Sequence, residues 1–180
     1  MGSFRRDFEI PQDWDGRETF ISFDGVDSFF YLWINGQYVG FSKNSRNTAD
    51  FNITPYLQKG KNTVAAEVYR SSDGSFLEAQ DMFRLPGIFR TVALYSVPKV
   101  HFRDLVATPD LDATYTDGSL TVNAEIRNLG KKAIKDYKVY YSLYANKLYS
   151  DENTLVDGFL SPVIDKIAPN ETGSVQTVLK

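Results

Sequence analysis

Two carboxylates, Glu78 and Asp81, lie three residues apart in the stretch SSDGSFLEAQDMFRLPGIFR, residues 71–90. Hydrolysis of a glycosidic bond requires two carboxyl groups that face each other across a sugar, ~5 Å apart for retention of configuration and ~6.5–9.5 Å for inversion. Two carboxylates on one loop can meet either distance. Arg84 and Arg90 follow closely, however, and can neutralise these carboxylates by pairing with them. The residues alone therefore favour an ion-pair cluster that holds a long loop in place over a catalytic pair.

The sequence lacks the residues that other common kinds of catalytic site require. His101 is the only histidine and cysteine is absent, so a Ser-His-Asp triad has no histidine to spare, and thiolate metal sites and a cysteine nucleophile are excluded. We interpret His101 as a structural residue. The segment DLDATYTDGS, residues 110–119, is similar to a calcium loop, but Tyr115 and Thr121 stand where such a loop needs glycine and glutamate. We interpret this segment as a surface turn.

Composition narrows the class of partner. The 180 residues carry 20 basic and 23 acidic side chains, a formal net charge of −3, which provides no cationic field for nucleic acid or an anionic membrane. No apolar run approaches the ~18 residues that a membrane-spanning helix needs. Aromatic residues make up 14% of the chain, which suits the pleated faces of β-sheets and also suits sugar binding by stacking.

Apolar residues alternate with polar ones along most of the chain. Clear examples are TVAAEVYR (residues 63–70), SLTVNAEIR (119–127) and YKVYYSL (137–143), and Asn-Gly or Asp-Gly turn signals lie between such segments. This period predicts half-buried strands of antiparallel sheets, and no segment predicts an amphipathic helix. We therefore expect an all-β fold, a sandwich or a barrel.

A domain boundary is predicted near SVPKVHF, residues 96–102, because Pro98 interrupts what would otherwise be one long strand. The amino-acid composition changes after this point. Residues 1–97 hold both tryptophans and most of the phenylalanine, whereas residues 98–180 have fewer of these residues and are richer in lysine. We expect two β domains, 1–97 and 98–180, joined by almost no linker.

Several aromatic and charged residues have both a structural and a functional interpretation. Trp33, in YLWING, could be a sugar platform, but its position inside an alternating strand favours the core. Trp14, before the Asp15-Gly16 turn, is ambiguous between the two. Arg46, in the polar segment NSRN, is expected to be a structural pairing residue, and the tyrosines of residues 137–144 are expected to pack between sheets or domains.

Two blocks of sequence carry a family resemblance: residues 23–54, FDGVDSFFYLWINGQYVGFSKNSRNTADFNIT, and residues 72–94, SDGSFLEAQDMFRLPGIFRTVAL. Together they closely resemble the β-galactosidases of glycoside hydrolase family 2. The resemblance covers almost all of residues 3–97 and implies a jelly-roll, galactose-binding-like β-sandwich there. Residues 98–180 resemble, less specifically, the immunoglobulin-like β-sandwich that follows in these enzymes. Phe83 replaces a tryptophan that is commoner in the family.

The resemblance also implies a site. In the family, the aspartate of the QDM motif, here Asp81, helps to bind a sodium ion and contacts the sugar near its 6-hydroxyl. The other sodium ligands and both catalytic glutamates belong to a barrel domain for which this chain has no room, so it should contain no catalytic residue. Glu78, Arg84, Arg90 and Phe83 are expected to support the loop, with the arginines pairing with Glu78 or Asp73.

The whole enzyme implied by the resemblance is a retaining β-galactosidase. It acts on β-galactosides, uses sodium and magnesium, and forms a homo-oligomer. Against that pattern the chain looks clipped at its start and at its end, as a fragment would. We further expect the loop 71–90 to expose apolar side chains where the absent barrel would lie; these are Phe76, Leu77, Met82, Phe83 and Ile88.

A free-standing carbohydrate-binding module is the alternative, because jelly rolls also serve as lectin-like domains. Such a module should have complete strands and its own aromatic platform. A fragment should instead expose an apolar docking surface. A purely structural, adhesion-type pair of sandwiches ranks last, because it leaves the acidic and aromatic loop at 71–90 without a role.

Overall fold

The computed structural model describes residues 1–78, 80–81, 83–150 and 152–179. The chain divides into two compact units, Met1–Pro98 and Lys99–Lys180. Both are built from antiparallel strands, so the predicted all-β fold is confirmed. No helix among the described residues is long and apolar enough to cross a membrane.

Among the described residues, the first unit contains nine strands and three short helical turns. The strands are β1 (Gly2–Glu9), β2 (Glu18–Phe23), β3 (Val26–Asp27), β4 (Phe29–Ile34), β5 (Gln37–Ser42), β6 (Ala49–Asn52), β7 (Lys61–Tyr69), β8 (Gly87–Ile88) and β9 (Val92–Val97). The turns are the 3₁₀ turns Gln12–Trp14 and Thr54–Tyr56 and the single-turn helix α1 (Gly74–Leu77).

Two sheets enclose the core of the first unit. One has the strand order β1-β7-β4-β5 and the other β6-β2-β9, while β3 and β8 form a short separate ladder. The alternation along β4 buries Phe30, Leu32 and Ile34, which pack with six further buried apolar residues from both sheets and their connections. Apolar burial on this scale is the main term that stabilises a sandwich.

Trp33 lies on the opposite face of β4, so the prediction that it belongs to the core was wrong. Phe29, Tyr31 and Trp33 alternate with the buried residues and are only half-buried. The turn that follows agrees with the sequence: Asn35 (φ 51°) and Gly36 (φ 77°) join β4 to β5 in the left-handed conformation that a two-residue hairpin favours.

The part of the second unit that the structure describes contains seven strands. They are β10 (Val100–Leu111), β11 (Gly118–Asn128), β12 (Ile134–Tyr137), β13 (Tyr140–Asn146), β14 (Asn153–Leu160), β15 (Ile164–Ile167) and β16 (Thr172–Leu179). They form one ladder of order β10-β11-β16 and two pairs, β12-β15 and β13-β14. Their core is a cluster of five buried apolar residues: Ala124, Ile126, Val139, Ile164 and Ile167.

A buried asparagine and an acidic turn organise the loops of the second unit. Asn128 is fully buried, and its side-chain amide donates to the carbonyls of Lys132 (2.9 Å) and Ile167 (3.1 Å). In the segment that resembled a calcium loop, the Asp112 carboxylate accepts hydrogen bonds from the Thr114 hydroxyl and the Thr116 amide. This carboxylate therefore closes the surface turn that the sequence predicted.

Candidate functional site

The chain leaves the first sandwich after β7 and returns to it at β8. We call residues 74–86 between them the Asp81 loop. It begins with α1, where the Asp73 carboxylate accepts a hydrogen bond from the Gly74 amide (2.9 Å), as an N-terminal helix cap does. Ala79 and Met82 lie outside the described residues, so the predicted exposure of Met82 stays a prediction.

A short polar segment after β5 holds this loop; we call residues 43–46 the anchor segment. Ser45 is buried, with 2% of its surface exposed. Its hydroxyl donates to Glu78 Oε2 (2.5 Å) and lies 3.4 Å from Asp27 Oδ1, and its amide donates to Glu78 Oε1 (3.1 Å). Both carboxylate oxygens of Glu78 are thus fixed by one serine, 33 residues away in sequence.

These bonds lower the pKa of Glu78. The hydroxyl of Ser45 is the main cause, and it is opposed by the burial of the carboxyl, which raises the pKa. The amide of Ser45 and the charges of Arg84 and Arg46 add smaller lowering effects, so the pKa of Glu78 is lowered overall. Hydrogen bonds to the ionised form stabilise it. Glu78 is therefore a charged structural group rather than an acid available for catalysis.

Two further contacts tie the loop to the anchor segment. The Lys43 ammonium pairs with Asp73 at 2.9 Å, and this bond lowers the pKa of Asp73. Arg46 donates from Nη2 to the carbonyl of Phe83 (3.2 Å). Arg46 is therefore a structural hydrogen-bonding residue, as its polar, turn-like segment indicated.

Arg84 in the loop and Arg90 after it donate to carbonyl groups, and among the described residues neither forms the expected ion pair with Glu78 or Asp73. Arg84 donates to the carbonyl of Ser75, which closes the start of the loop onto itself. Arg90 donates to the carbonyl of Arg46 (3.1 Å), and its guanidinium lies over the ring of Phe89. Their partners differ from the prediction because Lys43 and Ser45, distant in sequence, already occupy the two carboxylates.

Asp81 differs from Glu78 and Asp73, whose carboxylates are bound by Ser45 and Lys43. It is exposed, and it makes no hydrogen bond or ion pair with the residues that the structure describes. Large apolar side chains on the same loop are also exposed: Phe76 (85%), Leu77 (88%), Phe83 (93%) and Leu85 (71%). The ring of Phe83 therefore does not support the loop from within; only its carbonyl does. Ile88, by contrast, is partly covered by the core.

Among the described residues, Asp81 is one available oxygen donor for a metal ion and not part of a complete site. No group of three histidine, cysteine or acidic side chains among the described residues is placed to hold a metal. Glu78 and Asp73 are engaged by Ser45 and Lys43. A hard cation such as sodium takes several oxygen ligands, so Asp81 fits the role of a single donor to a cation whose other ligands lie elsewhere.

Sequence reasoning missed Lys43 and Ser45. The only signal was the polar, turn-like composition of SKNSRN after a strand, which indicated a loop but no partner. Nothing in the local spacing connects residue 45 to residue 78.

Known proteins are similar to this chain in both sequence and fold. The family model described as "Glycosyl hydrolases family 2, sugar binding domain" matches residues 1–98. The β-galactosidase of Priestia megaterium is 47% identical over 144 residues, which are 80% of this chain and 14% of that protein. The β-galactosidase of Halalkalibacterium halodurans is 41% identical over 134 residues, 74% of this chain and 13% of that protein. The chain thus spans about one-seventh of the length of these relatives.

Solved structures share the fold along nearly the whole chain. A Bacteroides uniformis β-glucuronidase matches with a TM-score of 0.83 at 21% identity, over 99% of this chain and 21% of that one. A putative β-galactosidase from Bacteroides fragilis matches with a TM-score of 0.77 at 19% identity, over 98% of this chain and 26% of that one. The predicted fold class, a jelly-roll sandwich followed by an immunoglobulin-like sandwich, is confirmed.

Proposed function

The chain belongs to glycosyl hydrolase family 2, and from that premise we propose that it is a non-catalytic part of a retaining β-galactosidase. In this role it contributes Asp81 to a composite substrate and sodium site and provides surfaces that dock onto the catalytic domain. The identity to two β-galactosidases over 80% and 74% of the chain supports this substrate class. The domains proposed for it are residues 1–97 and 98–180.

One observation carries the proposal: Asp81 is the carboxylate that the loop leaves exposed. The anchor segment binds the carboxylates of Glu78 and Asp73, the two other acidic residues near it, whereas Asp81 is exposed and makes no hydrogen bond or ion pair with the described residues. A carboxylate accepts hydrogen bonds from sugar hydroxyls with both oxygens. It is also a suitable ligand for a hard cation, and bound sodium would supply a fixed positive charge that orients the sugar oxygens.

The apolar side chains around Asp81 support docking. Burying one such side chain fully is worth about 1.5–3 kcal/mol, and four of them among the described residues of the Asp81 loop are exposed. A catalytic domain that covers them would stabilise the assembly and exclude water from the sugar site. A free-standing carbohydrate-binding module has no use for such a surface, so this loop favours the fragment interpretation.

Other properties of the whole enzyme stay predictions from the family. They are magnesium dependence, homo-oligomer formation and the two catalytic glutamates of a barrel domain. The described residues hold no three-ligand metal cluster to which magnesium could be assigned.

A chimera tests the proposal. The matched segment of the Priestia megaterium β-galactosidase is replaced by the corresponding residues of this chain, and hydrolysis of a chromogenic β-galactoside is measured at several sodium concentrations. Asp81→Asn should lower kcat/KM by about 100-fold or more, as expected when a directly contacting charged group is lost, and should abolish the response to sodium.

Asp15→Asn is the matched control, because Asp15 is an exposed carboxylate in a turn of the same unit. It should leave both quantities unchanged. Equal activity and equal sodium dependence of the Asp81→Asn and Asp15→Asn chimeras would contradict the proposed role of Asp81.

A further inference from the structure

The outward face of β4, β5 and β7 carries a cluster of aromatic side chains that the proposed function does not use. We call it the aromatic face; its residues are Phe29, Tyr31, Trp33, Tyr38, Phe41 and Tyr69. Cross-strand pairing builds it: Tyr31 lies opposite Phe41, Trp33 opposite Tyr38, and Phe29 opposite Tyr69. The buried residues of β4 point the other way, so the rings contribute little to the core.

The rings hold one another in place. Phe29 and Tyr31 pack edge to face, with centroids 4.6 Å apart. Tyr31 also contacts the rings of Trp33 (5.9 Å), Tyr38 (6.1 Å) and Tyr69 (6.0 Å). Edge-to-face and tilted ring contacts of this kind are favourable, and rings that already pack on one another lose little freedom when a ligand arrives. The surface is therefore organised before any ligand binds.

Polar groups surround the rings. A shallow cavity of about 580 Å³ is lined by five of the rings together with Lys43, Ser71, Ser72 and Asp73. On the other side, Glu67 lies opposite Tyr31 in the sheet. Ligand sites combine an apolar, aromatic lining with a few polar groups that fix orientation, and this cavity has both. Tyr38 and Phe41 remain 50% and 53% exposed.

The area of the aromatic face indicates whether its ligand is a small molecule or a protein. Strands lie ~4.8 Å apart and rise ~3.3 Å per residue, so three strands and five residues cover about 10 Å by 13 Å. A stable protein interface buries about 800 Å² on each partner, several times this footprint. The face is the size of a short oligosaccharide, whose C–H faces stack on rings while its hydroxyls reach charged groups at the edge.

We propose that the aromatic face is a second carbohydrate site, separate from the Asp81 loop, which binds a short β-linked oligosaccharide by stacking. The rings follow one another along one face of the sheet, which suits an extended β-1,4-linked chain, whose sugar rings present apolar faces. The Lys43–Asp73 pair and Glu67 are the hydrogen-bonding groups for its hydroxyls. This goes beyond the proposed function, because it requires neither Asp81 nor a catalytic domain.

Tryptophan fluorescence tests the inference directly, because the chain has only Trp14 and Trp33. In the Trp14→Phe variant all tryptophan emission comes from the aromatic face. Titration with cellotriose and with lactose should give a saturable change at millimolar sugar. Tyr38→Ala and Phe41→Leu should each weaken binding by about tenfold, while Tyr144→Ala, an exposed tyrosine of the second unit, should not change it.

Thermal melting establishes that each variant folds, and Phe41→Leu keeps an apolar side chain in case alanine disturbs the sheet. The proposal is overturned if neither sugar gives a saturable change, or if binding survives both ring substitutions. It is also overturned if Phe41→Leu abolishes a concentration-dependent association of the chain that sugar does not affect, because the face is then a protein interface. Asp81→Asn should not alter this titration. Failure of the aromatic-face proposal is therefore distinguishable from failure of the proposed function.

Discussion

Replacing Ser45 by alanine should release the Asp81 loop from the sandwich. The hydroxyl of Ser45 is the shortest contact between the anchor segment and Glu78, at 2.5 Å, and the only side-chain donor to this carboxylate among the described residues. The backbone amide of residue 45 still donates to Glu78 in the variant. The substitution therefore removes one hydrogen bond to the charged Glu78 carboxylate and leaves the carboxylate itself in place.

The magnitude follows from the chemistry of that bond. A hydrogen bond to a charged group contributes about 1.5–3 kcal/mol, and each 1.4 kcal/mol is a factor of ten in an equilibrium constant. The opening equilibrium of the loop should therefore rise by about 10- to 100-fold. The free energy of unfolding of the first unit should also fall, because Asp27, only 5% exposed, loses its hydroxyl partner 3.4 Å away.

Amide hydrogen exchange measures this opening. The Ser75 amide donates to the carbonyl of Ser72 (3.1 Å) and the Glu78 amide to that of Gly74 (3.0 Å), so both report on α1. Under conditions where exchange follows the opening equilibrium, both should exchange about 10- to 100-fold faster in Ser45→Ala. Ser3→Ala, on the exposed face of β1, is the control. Unchanged exchange at residues 74–78 would refute the claim that the anchor segment orders the loop.

Three further predictions follow from the same structure. Glu78 has a lowered pKa, so its contribution is complete above the unfolded value of ~4.5 and is lost as pH falls through the lower folded value. Protection of α1, followed by exchange corrected for intrinsic rates, should therefore decrease below pH ~4.5. The decrease should be smaller in Glu78→Gln, where of these two carboxylates only that of Asp73, whose pKa is also lowered, still titrates. The 180-residue chain alone should not hydrolyse a chromogenic β-galactoside, and turnover that survives purification and disappears in Asp81→Ala would show that it carries its own active site. The exposed rings of Phe76 and Phe83 should make the isolated chain associate as its concentration rises in light scattering, with Phe76→Ser/Phe83→Ser more monomeric; a strictly monomeric parent chain would show that the loop needs no cover.

The strands were predictable from sequence because their alternation is unambiguous. Along TVAAEVYR only Val64, Ala66 and Val68 can form a continuous apolar face, and the structure buries them wholly or in part. The Asn35-Gly36 turn was predictable for a similar reason, since few residues accept a positive φ at both positions.

Trp33 shows where alternation fails. In FFYLWI both sets of alternate residues are large and apolar or aromatic, so the period of two identifies the faces but not the one that points inward. Only the packing of Phe30, Leu32 and Ile34 against the second sheet decides the matter. The same ambiguity hid the aromatic face.

The predicted contacts of the Asp81 loop were wrong for a different reason. Arg84 and Arg90 were expected to pair with acids near them in sequence, yet both donate to carbonyls. The carboxylates are held instead by Lys43 and Ser45, at least 30 residues away. Long-range pairing depends on which strands become neighbours, and spacing along one chain does not contain that information.

A crystal structure of the chimera with bound galactose tests the central claim most directly. We predict that a carboxylate oxygen of Asp81 lies within about 3.2 Å of a sugar hydroxyl or within about 2.6 Å of a cation that contacts the sugar, with Phe76 and Phe83 buried against the catalytic domain. A structure in which Asp81 faces solvent, remote from the bound galactose, would contradict the account.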